Sequence, residues 1–415
     1  MSSPLHKTLQ PLFLGRQSYP LHSTLQKTNI YFGSKHKLFH QCAYNLSAIR
    51  KSRAAVYEKP GPPNEVLKIA DISLSDDIPE GMALIRMMAS PVNPSDLNQI
   101  EGLYPVKGQF SNRELVYIEE GADSQTPKNV SVAIGGNEGV GEILKVGETT
   151  EDSKNFEVGA WVLPNQSGKI GTWCTHAIVP TNDLVAVPNC NGVTPEQVST
   201  IKVNPSTAYR MLKDFVDLSP GDYVIQNGAN SGVGRAVIQL CREWGINTIN
   251  IIRDRDNFDE LSEELKSLGA TMVIKDTDLK SSDVSVTLNN LEQPIKLGLN
   301  CVGGKQTLAM TKFLSRHGIL VTYGGMSRQP VTLPTSFLIF KDIQAKGFWM
   351  TRWYKSHSEQ ERLEMWDHLL SLMRQGKLVS QPMTQINWSE NGTPSELAEK
   401  LALGTGWGSK HMFVF

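Results

Sequence analysis

Acidic residues are absent from the first 57 positions of this 415-residue chain. The same stretch carries eight Lys and Arg residues and seven serines, without the continuous apolar core of a secretory signal. Removing these eight positive charges from the formal net charge of −1 leaves −9 for the remaining residues. A basic, serine-rich, acid-free leader is typical of an organelle transit peptide, so we predict one over residues 1–53. A disordered basic tail is the alternative.

Cysteine pairs and long apolar runs are also missing. The five cysteines are scattered, and no two have the spacing of a CxxC pair. This argues against a disulfide framework and against a four-cysteine zinc site. No stretch reaches the ~18 apolar residues that a membrane-spanning helix needs. The near-zero net charge gives no reason to expect nucleic acid as a partner. With 40% apolar and 20% charged residues, the composition is that of a globular protein with a sizeable core.

The pattern of the chain changes near residue 189. Residues 54–188 contain short strand-like runs separated by Gly, Pro, Asn and Asp, which predicts a β-rich domain. Residues 189–350 alternate strand and helix, as in a parallel sheet with helices on both faces. A last helix is predicted to begin at Ser358 with a capping box to Glu361. We assign residues 351–415 to a C-terminal return to the first domain.

A glycine turn in "QNGANSGVGRA" (226–236) lies between a predicted strand and a predicted helix. Gly228, Gly232 and Gly234 permit a tight turn and a close approach of backbone N–H groups to a pyrophosphate. The helix that follows would point its positive dipole end at the phosphates. The order strand, turn, helix, strand predicts a dinucleotide-binding domain with a Rossmann-type, doubly wound parallel sheet. A purely structural turn is the alternative.

The second strand of that unit ends in "NIIRDR" (250–255). NAD-binding chains usually place an acid here for the ribose hydroxyls, whereas arginine accommodates a 2′-phosphate. Arg253 and Arg255 therefore favour NADPH, because guanidinium groups bind phosphate in forked pairs. Asp254 lies between them, and its carboxylate would reverse the preference if it faced the ribose. A solvated charge run is the alternative.

Several motifs match the pattern of one family. They are "NPSDLNQIEGLY" (93–104), "GGNEGVG" (135–141), "VNPSTAYRML" (203–212), "GDYVIQNGANSGVGRAVIQL" (221–240), "NIIRDR" (250–255), "LNCVGG" (299–304), "VTYGGM" (321–326) and "IFKDIQAKGFWM" (339–350). In these stretches, and over about residues 56–415, the chain resembles the mitochondrial trans-2-enoyl-thioester reductases. These form a zinc-free part of the medium-chain dehydrogenase/reductase superfamily.

The resemblance implies an α/β fold, with a Rossmann-type domain beside a β-rich, GroES-like catalytic domain. It implies NADPH-dependent reduction of trans-2-enoyl thioesters, carried on coenzyme A or acyl carrier protein, within mitochondrial fatty acid synthesis. It also implies a homodimer in the mitochondrial matrix. The sequence does not distinguish the two carriers or fix the length of the acyl chain.

The motif "GGNEGVG" bears on metal binding. Zinc-dependent members of the superfamily carry a histidine ligand in a related Gly-His-Glu motif, and Asn137 stands at that place here. An amide is a poor zinc ligand, and "NPSD" lacks the cysteine ligand of those enzymes. We therefore expect no zinc, which fits reduction of a carbon–carbon double bond conjugated to a thioester.

The resemblance also implies roles for single residues. Hydride transfer to the β-carbon requires protonation of the α-carbon, and a tyrosine hydroxyl can supply that proton. The family's proton donor carries over onto Tyr104. The cofactor-binding positions that carry over are Asn204, Asn230, Ser231, Gly232, Val233, Arg253, Asp254, Arg255, Tyr323, Gly324, Gly325, Met326, Phe348, Trp349, Met350, Thr351 and Lys410. Trp349 would also border the acyl pocket, and plain core packing is the alternative for Met326, Phe348 and Trp349.

Two departures from the family pattern and two other functions stay open. About thirty residues separate Tyr104 from "GGNEG", an insertion near 106–130 of roughly twenty residues that could form a lid or displace Tyr104. The stretch "LGTGWGSK" is unusually glycine-rich, which weakens the alignment of Lys410. An NADPH:quinone oxidoreductase-like enzyme would share the glycine turn. A non-catalytic NADPH-binding regulator would keep the two arginines without needing Tyr104.

Overall fold

A computed structural model of the chain describes residues 51–118, 126–151, 153–388 and 410–415. The predicted transit peptide lies outside the described residues, except for its last three positions. The centre of the insertion and most of the glycine-rich stretch before Lys410 also lie outside them. Among the helices that are described, none is both long enough and apolar enough to span a bilayer.

The N-terminal part consists of strands with two short helices. Its elements are β1 (Lys51–Tyr57), α1 (Pro63–Val66), β2 (Lys68–Ser73), β3 (Met82–Pro91), α2 (Pro94–Ile100), β4 (Ser111–Tyr117), β5 (Lys128–Ile134), β6 (Val140–Val146), β7 (Trp161–Pro164), β8 (His176–Pro180) and β9 (Leu184–Ala186). Strands β1, β2, β4 and β5 form a closed barrel. A closed barrel leaves no unpaired edge, which is one way in which a β-rich domain avoids edge-to-edge association.

The middle part alternates strand and helix. Its elements are α3 (Pro195–Ser199), α4 (Asn204–Asp214), β10 (Tyr223–Asn227), α5 (Gly232–Glu243), β11 (Asn247–Ile252), α6 (Phe258–Ser267), β12 (Met272–Lys275), α7 (Ser282–Asn289), β13 (Ile295–Asn300), α8 (Gly304–Thr311), β14 (Ile319–Thr322), α9 (Thr335–Lys341) and β15 (Gln344–Gly347). The six strands are parallel, in the order β12-β11-β10-β13-β14-β15. This is the strand order of a dinucleotide-binding fold, with its switch point between β10 and β13.

The C-terminal part has two helices and two strands: α10 (Met350–Ser356), α11 (Glu359–Arg374), β16 (Met383–Asn387) and β17 (Lys410–Val414). Helix α11 begins with the predicted capping box, in which Ser358 and Glu361 exchange hydrogen bonds. Strand β17 pairs with β3 and completes a sheet of order β16-β17-β3-β6-β7-β9, with β8 also paired to β3. The return to the first domain is therefore made by β16 and β17, whereas α11 packs against α4.

Two sequence-based boundaries differ from the structure. Strand β1 begins at Lys51, three residues before the predicted start of the folded domain, and Ser52 is buried with its hydroxyl donating to His176 O. The first three residues of β1 are polar, so the apolar residues that mark a strand in the sequence begin only at Ala54. The described arms of the insertion, β4 and β5, are strands of the barrel and pair with each other and with β2 and β1. These arms belong to the barrel wall rather than to a separate lid.

Candidate active site and cofactor site

Tyr104 and Trp349 meet across the two domains. Tyr104 follows α2 of the β-rich domain, and Trp349 follows β15 at the carboxyl edge of the parallel sheet. The indole Nε1–H of Trp349 donates a hydrogen bond to the phenol oxygen of Tyr104 at 2.8 Å. The two rings are perpendicular, with centroids 6.1 Å apart. The two predicted residues therefore lie next to each other and are joined by a hydrogen bond.

The state of the Tyr104 hydroxyl follows from this contact. Burial raises the pKa of Tyr104 above its ordinary value, and the hydrogen bond from Trp349 offsets only part of that rise. The phenol is therefore protonated at neutral pH. An indole can only donate, so the phenol oxygen is the acceptor in this pair. The proton of the phenol is consequently free to be donated to another group.

Helix α2, which leads into Tyr104, is fixed to the motif "GGNEGVG" by Asn137. Asp96 Oδ1 accepts hydrogen bonds from the backbone N–H of Asn137 at 3.1 Å and from its Nδ2 at 2.9 Å. Asn137 Nδ2 also donates to Gln99 Oε1 at 2.7 Å. The residue at the place of a zinc-ligating histidine thus binds two side chains of α2. This arrangement holds the helix, and with it the start of the Tyr104 loop.

Close packing of two glycines places Asn137. A Cβ added to Gly135 would lie 2.3 Å from the indole ring of Trp173, and one added to Gly136 would lie 2.4 Å from Thr172 Oγ1. Gly136 also has a φ of +86°, which disfavours any residue with a side chain. The glycine pair therefore allows the chain to lie directly on the buried Trp173.

Glu138 connects the two domains. Its carboxylate accepts a hydrogen bond from Asn93 Nδ2 at 2.8 Å and another from the backbone N–H of Val203 at 2.6 Å, directly before α4. Lys410 Nζ donates to Asn93 Oδ1 at 2.9 Å. Burial raises the pKa of Glu138 to about 7, against the opposing effect of the Lys410 charge. The predicted cofactor residue Lys410 thus lies in a buried polar cluster that positions the start of α4.

A second buried amine, Lys202, lies near this cluster. The side chain is 2% exposed, and its Nζ has no hydrogen-bond partner among the described residues. Burial lowers the pKa of Lys202 to about 7, although the charge of Glu138 acts in the opposite direction. Asp96, which is fully buried, has a pKa raised to about 6 by the same desolvation. The boundary between the domains therefore holds several buried ionisable groups whose pKa values are shifted toward neutral pH by desolvation.

The glycine turn leads into α5 as predicted. Ser231 caps the helix by accepting the backbone N–H of Gly234 at 3.1 Å. Among the described residues, no hydrogen-bond acceptor contacts the backbone N–H of Gly232 or Val233. These two N–H groups and the positive end of a 12-residue helix form the kind of cradle that binds a phosphate.

A pocket that opens to solvent adjoins this helix end, and it is lined by Asn204, Gly232 and Lys410 among others. A Cβ on Gly232 would lie 2.3 Å from Gln381 Oε1 and 2.9 Å from Asn204 Nδ2. The absence of a side chain at Gly232 therefore leaves room for the amides of Asn204 and Gln381 at the helix end.

The predicted 2′-phosphate residues follow β11. Asp254 does not stand alone, because its Oδ1 pairs with Lys275 Nζ at 2.9 Å and its backbone N–H donates to Asp276 Oδ1. Both partners belong to the neighbouring strand β12 or its end, so the Asp254 carboxylate faces away from β10. Arg253 is exposed, and the buried Nε of Arg255 has no hydrogen-bond partner among the described residues.

The other predicted cofactor residues follow β14 and β15. Tyr323 directly follows β14, and its backbone N–H donates to Asn300 O at 2.9 Å. Gly324 adjoins Cys301, whereas a Cβ on Gly325 would meet nothing within 4 Å. Met326 is 47% exposed, so core packing does not account for it.

After β15, Phe348 and Met350 belong to the hydrophobic core. For Phe348, core packing was the alternative to a cofactor-binding role. Phe348 packs edge-on against Phe215. Thr351 and Trp349 are half-buried. Four of the predicted cofactor stretches each follow the carboxyl end of a parallel strand: residues 230–233, 253–255, 323–326 and 348–351. Such ends lie along one edge of the sheet, where open α/β sheets bind their ligands.

Several residues of the site had no assigned role in the sequence-based prediction. They are Asn93, Asp96, Glu138, Lys202 and Gln381. For Asn93 and Asp96 a usable signal was present, because "NPSD" has the form of a helix cap with an acid at its third position. For Lys202 and Gln381 the sequence offers none, since Lys and Gln are mostly exposed residues.

The described residues contain no group of three or more His, Cys, Asp or Glu side chains placed to hold a metal ion. Cys174, Cys241 and Cys301 are buried and unpaired, and Cys190 is half-buried and unpaired. Burial raises the pKa of the Cys174 thiol to about 12, which makes it a poor metal ligand and a poor nucleophile.

Fold and site together define a two-domain enzyme of the medium-chain dehydrogenase/reductase type. Residues 79–189 match the family described as alcohol dehydrogenase GroES-like domain, and residues 232–370 match the family described as zinc-binding dehydrogenase. The mitochondrial enoyl-acyl-carrier-protein reductase of Xenopus tropicalis is 40% identical over 84% of this chain and 91% of its own length. The chain belongs to the family of mitochondrial enoyl-acyl-carrier-protein reductases.

Solved structures agree with this family. A complex of Etr1p with NADP and crotonyl-CoA has a TM-score of 0.77 and 34% identity, covering 88% of this chain and 100% of its own. The mitochondrial 2-enoyl thioester reductase Etr1p/Etr2p heterodimer from Candida tropicalis gives the same TM-score, identity and coverage. The predicted fold class and family are thus confirmed.

Proposed function

We propose that this protein reduces the double bond of trans-2-enoyl thioesters with NADPH, in mitochondrial fatty acid synthesis. The observation that carries the proposal is the Tyr104–Trp349 pair, which sets a protonated phenol against the carboxyl edge of a dinucleotide-binding sheet. Relatives named mitochondrial enoyl-acyl-carrier-protein reductases and a related structure with NADP and crotonyl-CoA support it. The thioester is carried on coenzyme A or on acyl carrier protein.

The residues at the sheet edge fit the cofactor. The N–H groups of Gly232 and Val233 suit the pyrophosphate, together with Asn230 and Ser231 in the same turn. Asn204 and Lys410 line the cavity beside the helix end and would face the nicotinamide half. NADPH, when bound there, supplies a hydride to the β-carbon of the conjugated double bond.

Tyr104 completes the addition. Gain of a hydride at the β-carbon leaves negative charge on the α-carbon and the thioester oxygen, and the phenol of Tyr104 gives its proton to the α-carbon. The phenolate that results keeps the hydrogen bond from Trp349 Nε1, which becomes stronger when its acceptor is charged. The product is the saturated acyl thioester, and the proton on Tyr104 is restored from solvent.

We propose that Arg253 and Arg255 select NADPH over NADH. Their guanidinium groups follow β11, where the 2′-phosphate of the adenosine ribose would lie. The ion pair of Asp254 with Lys275 supports this proposal, because it keeps the intervening carboxylate from the ribose side. The amide of Asn137, bound to Asp96 and Gln99, supports chemistry without zinc. Metal analysis of the purified active enzyme tests the latter, and one zinc per chain would contradict it.

A homodimer is proposed from the edge of the parallel sheet. Among the described residues, β15 pairs only with β14, and all four of its residues are exposed. Leu338, Ile339 and Phe340 of the preceding α9 are 47%, 65% and 72% exposed. A free edge beside exposed apolar side chains is the kind of surface that a second chain covers. Analytical ultracentrifugation should give a dimer, and Ile339→Lys should shift it toward the monomer.

We also propose the mitochondrial matrix as the location, from the acid-free leader over residues 1–53 and the names of the relatives. A fluorescent reporter fused behind these residues should enter mitochondria. A reporter that stays in the cytosol would count against the proposal.

A direct assay separates the reductase from its alternatives. Oxidation of NADPH by the purified protein should be fast with a trans-2-enoyl thioester and slow with a quinone. Faster turnover of the quinone would favour the quinone oxidoreductase-like alternative. Tight binding of NADPH without turnover of either substrate would favour the non-catalytic regulator.

A further inference from the structure

A second pocket, open to solvent, lies beside the segment that follows Tyr104, and Gln99 and Gly136 form part of its wall. Its walls come from α2, from the segment before β4, from β4 itself, from the end of β5 and from residues 168–171. The side chains of interest here are Gln99, Arg113 and Lys169. Arg113 stands on β4, so the insertion contributes a charge to this cavity.

Arg113 is a cation directed into the barrel. Along β4 it alternates in phase with Leu115 and Tyr117, whose side chains are buried in the barrel core. Its Nε is buried and has no hydrogen-bond partner among the described residues. Two other arginines of the same domain do have acid partners: Arg53 pairs with Asp71, and Arg86 pairs with Glu142. The Arg113 side chain is half-buried, and no ion pair of its guanidinium with an acid is found among the described residues. A partly desolvated cation of this kind loses hydration without compensation, so an anion at this place would offset the cost.

Gln99 adds a second donor that lacks a partner. The side chain is 3% exposed, and its Nε2 has no acceptor among the described residues. The orientation of the amide is fixed by its neighbours. Asp96 accepts from Asn137 Nδ2, so Asn137 presents its NH₂ group, and Gln99 must present its oxygen to that same group. The Gln99 NH₂ group therefore faces the opposite direction.

The wall residue Gly168 places that amide at the cavity. A Cβ built on Gly168 would lie 3.4 Å from Gln99 Nε2 and 2.4 Å from Val106 Cγ1. The Gln99 amide thus adjoins a segment that lines the cavity. None of the described acidic side chains lines this cavity. Lys169 is exposed next to Gly168 and supplies a second positive charge at the rim.

We propose that this cavity binds an oxyanion of the phosphate class. The guanidinium of Arg113 would bind two of its oxygens, since that planar group forms forked hydrogen bonds with phosphate. The NH₂ group of Gln99 would donate to a third oxygen, and Lys169 would add charge at the rim. The anion is either free phosphate or the phosphate of a phosphopantetheine arm on the thioester carrier. The phosphopantetheine source rests on the proposed function, whereas free phosphate does not.

Titration with inorganic phosphate tests the site independently of activity. Calorimetry on NADPH-saturated protein keeps the cofactor's own phosphate positions filled. We expect binding by the wild type, a loss of about tenfold or more in affinity for Arg113→Gln, and a loss of up to about fivefold for Lys169→Gln. Lys128→Gln, an exposed charge on β5, is the matched control and should leave phosphate binding unchanged.

Two outcomes overturn the proposal: no phosphate binding by the wild type, or equal affinity in the wild type, Arg113→Gln and Lys169→Gln. If Arg113→Gln loses NADPH binding and has therefore not folded, phosphate affinity is compared between the exposed variants Lys169→Gln and Lys128→Gln. Weaker phosphate binding by Lys169→Gln than by Lys128→Gln then supports the site. A protein that binds phosphate yet reduces no thioester would contradict the proposed function and leave this site intact.

Kinetics then distinguish the two sources of phosphate. The substrates are an enoyl-CoA and the matching enoyl-pantetheine, which lacks phosphate. A KM that rises in Arg113→Gln for enoyl-CoA alone identifies the carrier arm. Unchanged KM values for both substrates, with weakened phosphate binding, identify a free anion.

Discussion

Trp349 and Tyr104 lie 245 positions apart in the chain, and one hydrogen bond of 2.8 Å joins the indole N–H to the phenol oxygen. Each residue comes from a different domain, so the bond forms only when the two domains are assembled. It also sets the direction of the phenol, because the oxygen accepts from Trp349 and its proton points elsewhere. The pair therefore links the packing of the two domains to the orientation of the proposed acid.

Tyr104→Phe removes the hydroxyl and keeps the ring. If Tyr104 supplies the α-proton, kcat for the enoyl thioester should fall by about 10²–10⁴-fold, and water in its place favours the lower end. NADPH affinity should change little, because the ring of Tyr104 is kept and no cofactor-binding role is proposed for its hydroxyl. Steady-state kinetics and fluorescence titration of NADPH measure the two quantities. Wild-type kcat in this variant, with chemistry shown to limit the rate, would sink the assignment and direct attention to Tyr117 on β4.

Trp349→Phe keeps an aromatic ring and removes the donor to Tyr104. A single hydrogen bond of this type is worth about 0.5–1.5 kcal/mol, more when the acceptor becomes charged. We therefore expect kcat to fall by about 3- to 30-fold, less than for Tyr104→Phe. The double variant should be no slower than Tyr104→Phe alone, since Trp349 would act through Tyr104. Strictly additive losses in the double variant would mean that Trp349 acts separately, for instance in the acyl pocket.

Arg253→Ala tests the preference for NADPH. Loss of one charged hydrogen bond to a phosphate costs about 1.5–3 kcal/mol, so KM for NADPH should rise by about tenfold or more. KM for NADH should stay nearly constant. Asp254→Asn is the matched control, because Asp254 is paired with Lys275 and should not affect the choice. A gain in NADPH preference in Asp254→Asn would show that its carboxylate does reach the ribose.

The elements with strong local signals were predictable. Helix α11 begins at the capping box of Ser358 and Glu361, and its apolar residues recur at helical spacing. The strand, glycine turn and helix around Gly232 were predictable because the glycines have the spacing that a close approach of the backbone to a phosphate requires. For such elements the short-range chemistry and the long-range packing select the same structure.

The contacts within the site were less predictable, because they join residues far apart in the chain. The ion pair of Asp254 with Lys275 depends on the pairing of β11 with β12, which "NIIRDR" does not encode. The bridge from Glu138 to Val203 depends on how the two domains meet. The strands of the inserted hairpin lack a clean alternation of apolar residues, so their place in the barrel follows from pairing with β1 and β2.

Lys202 provides a prediction about stability and pH. Its buried amine has a pKa lowered from 10.5 to about 7, mainly by desolvation, while Glu138 and Asp96 attract its charge and Arg362 opposes it. Between these two pKa values the folded protein binds fewer protons on this residue than the unfolded chain does. The contribution of Lys202 to the stability of the wild type should therefore rise with pH across that window and be least favourable below about pH 7.

Lys202→Met removes this titration and keeps most of the side-chain volume. Each pKa unit corresponds to about 1.4 kcal/mol, so we expect the variant to be more stable than the wild type by a few kcal/mol near pH 6. The advantage should shrink as the pH approaches 10. Lys410 remains as the cation near Glu138, so that carboxylate keeps a positive neighbour. Urea unfolding at pH 6, 7.5 and 9 measures the difference, with the exposed Lys355→Met as the control. A variant that is less stable than the wild type at pH 6 would mean that the Lys202 amine is favourably paired in the folded protein.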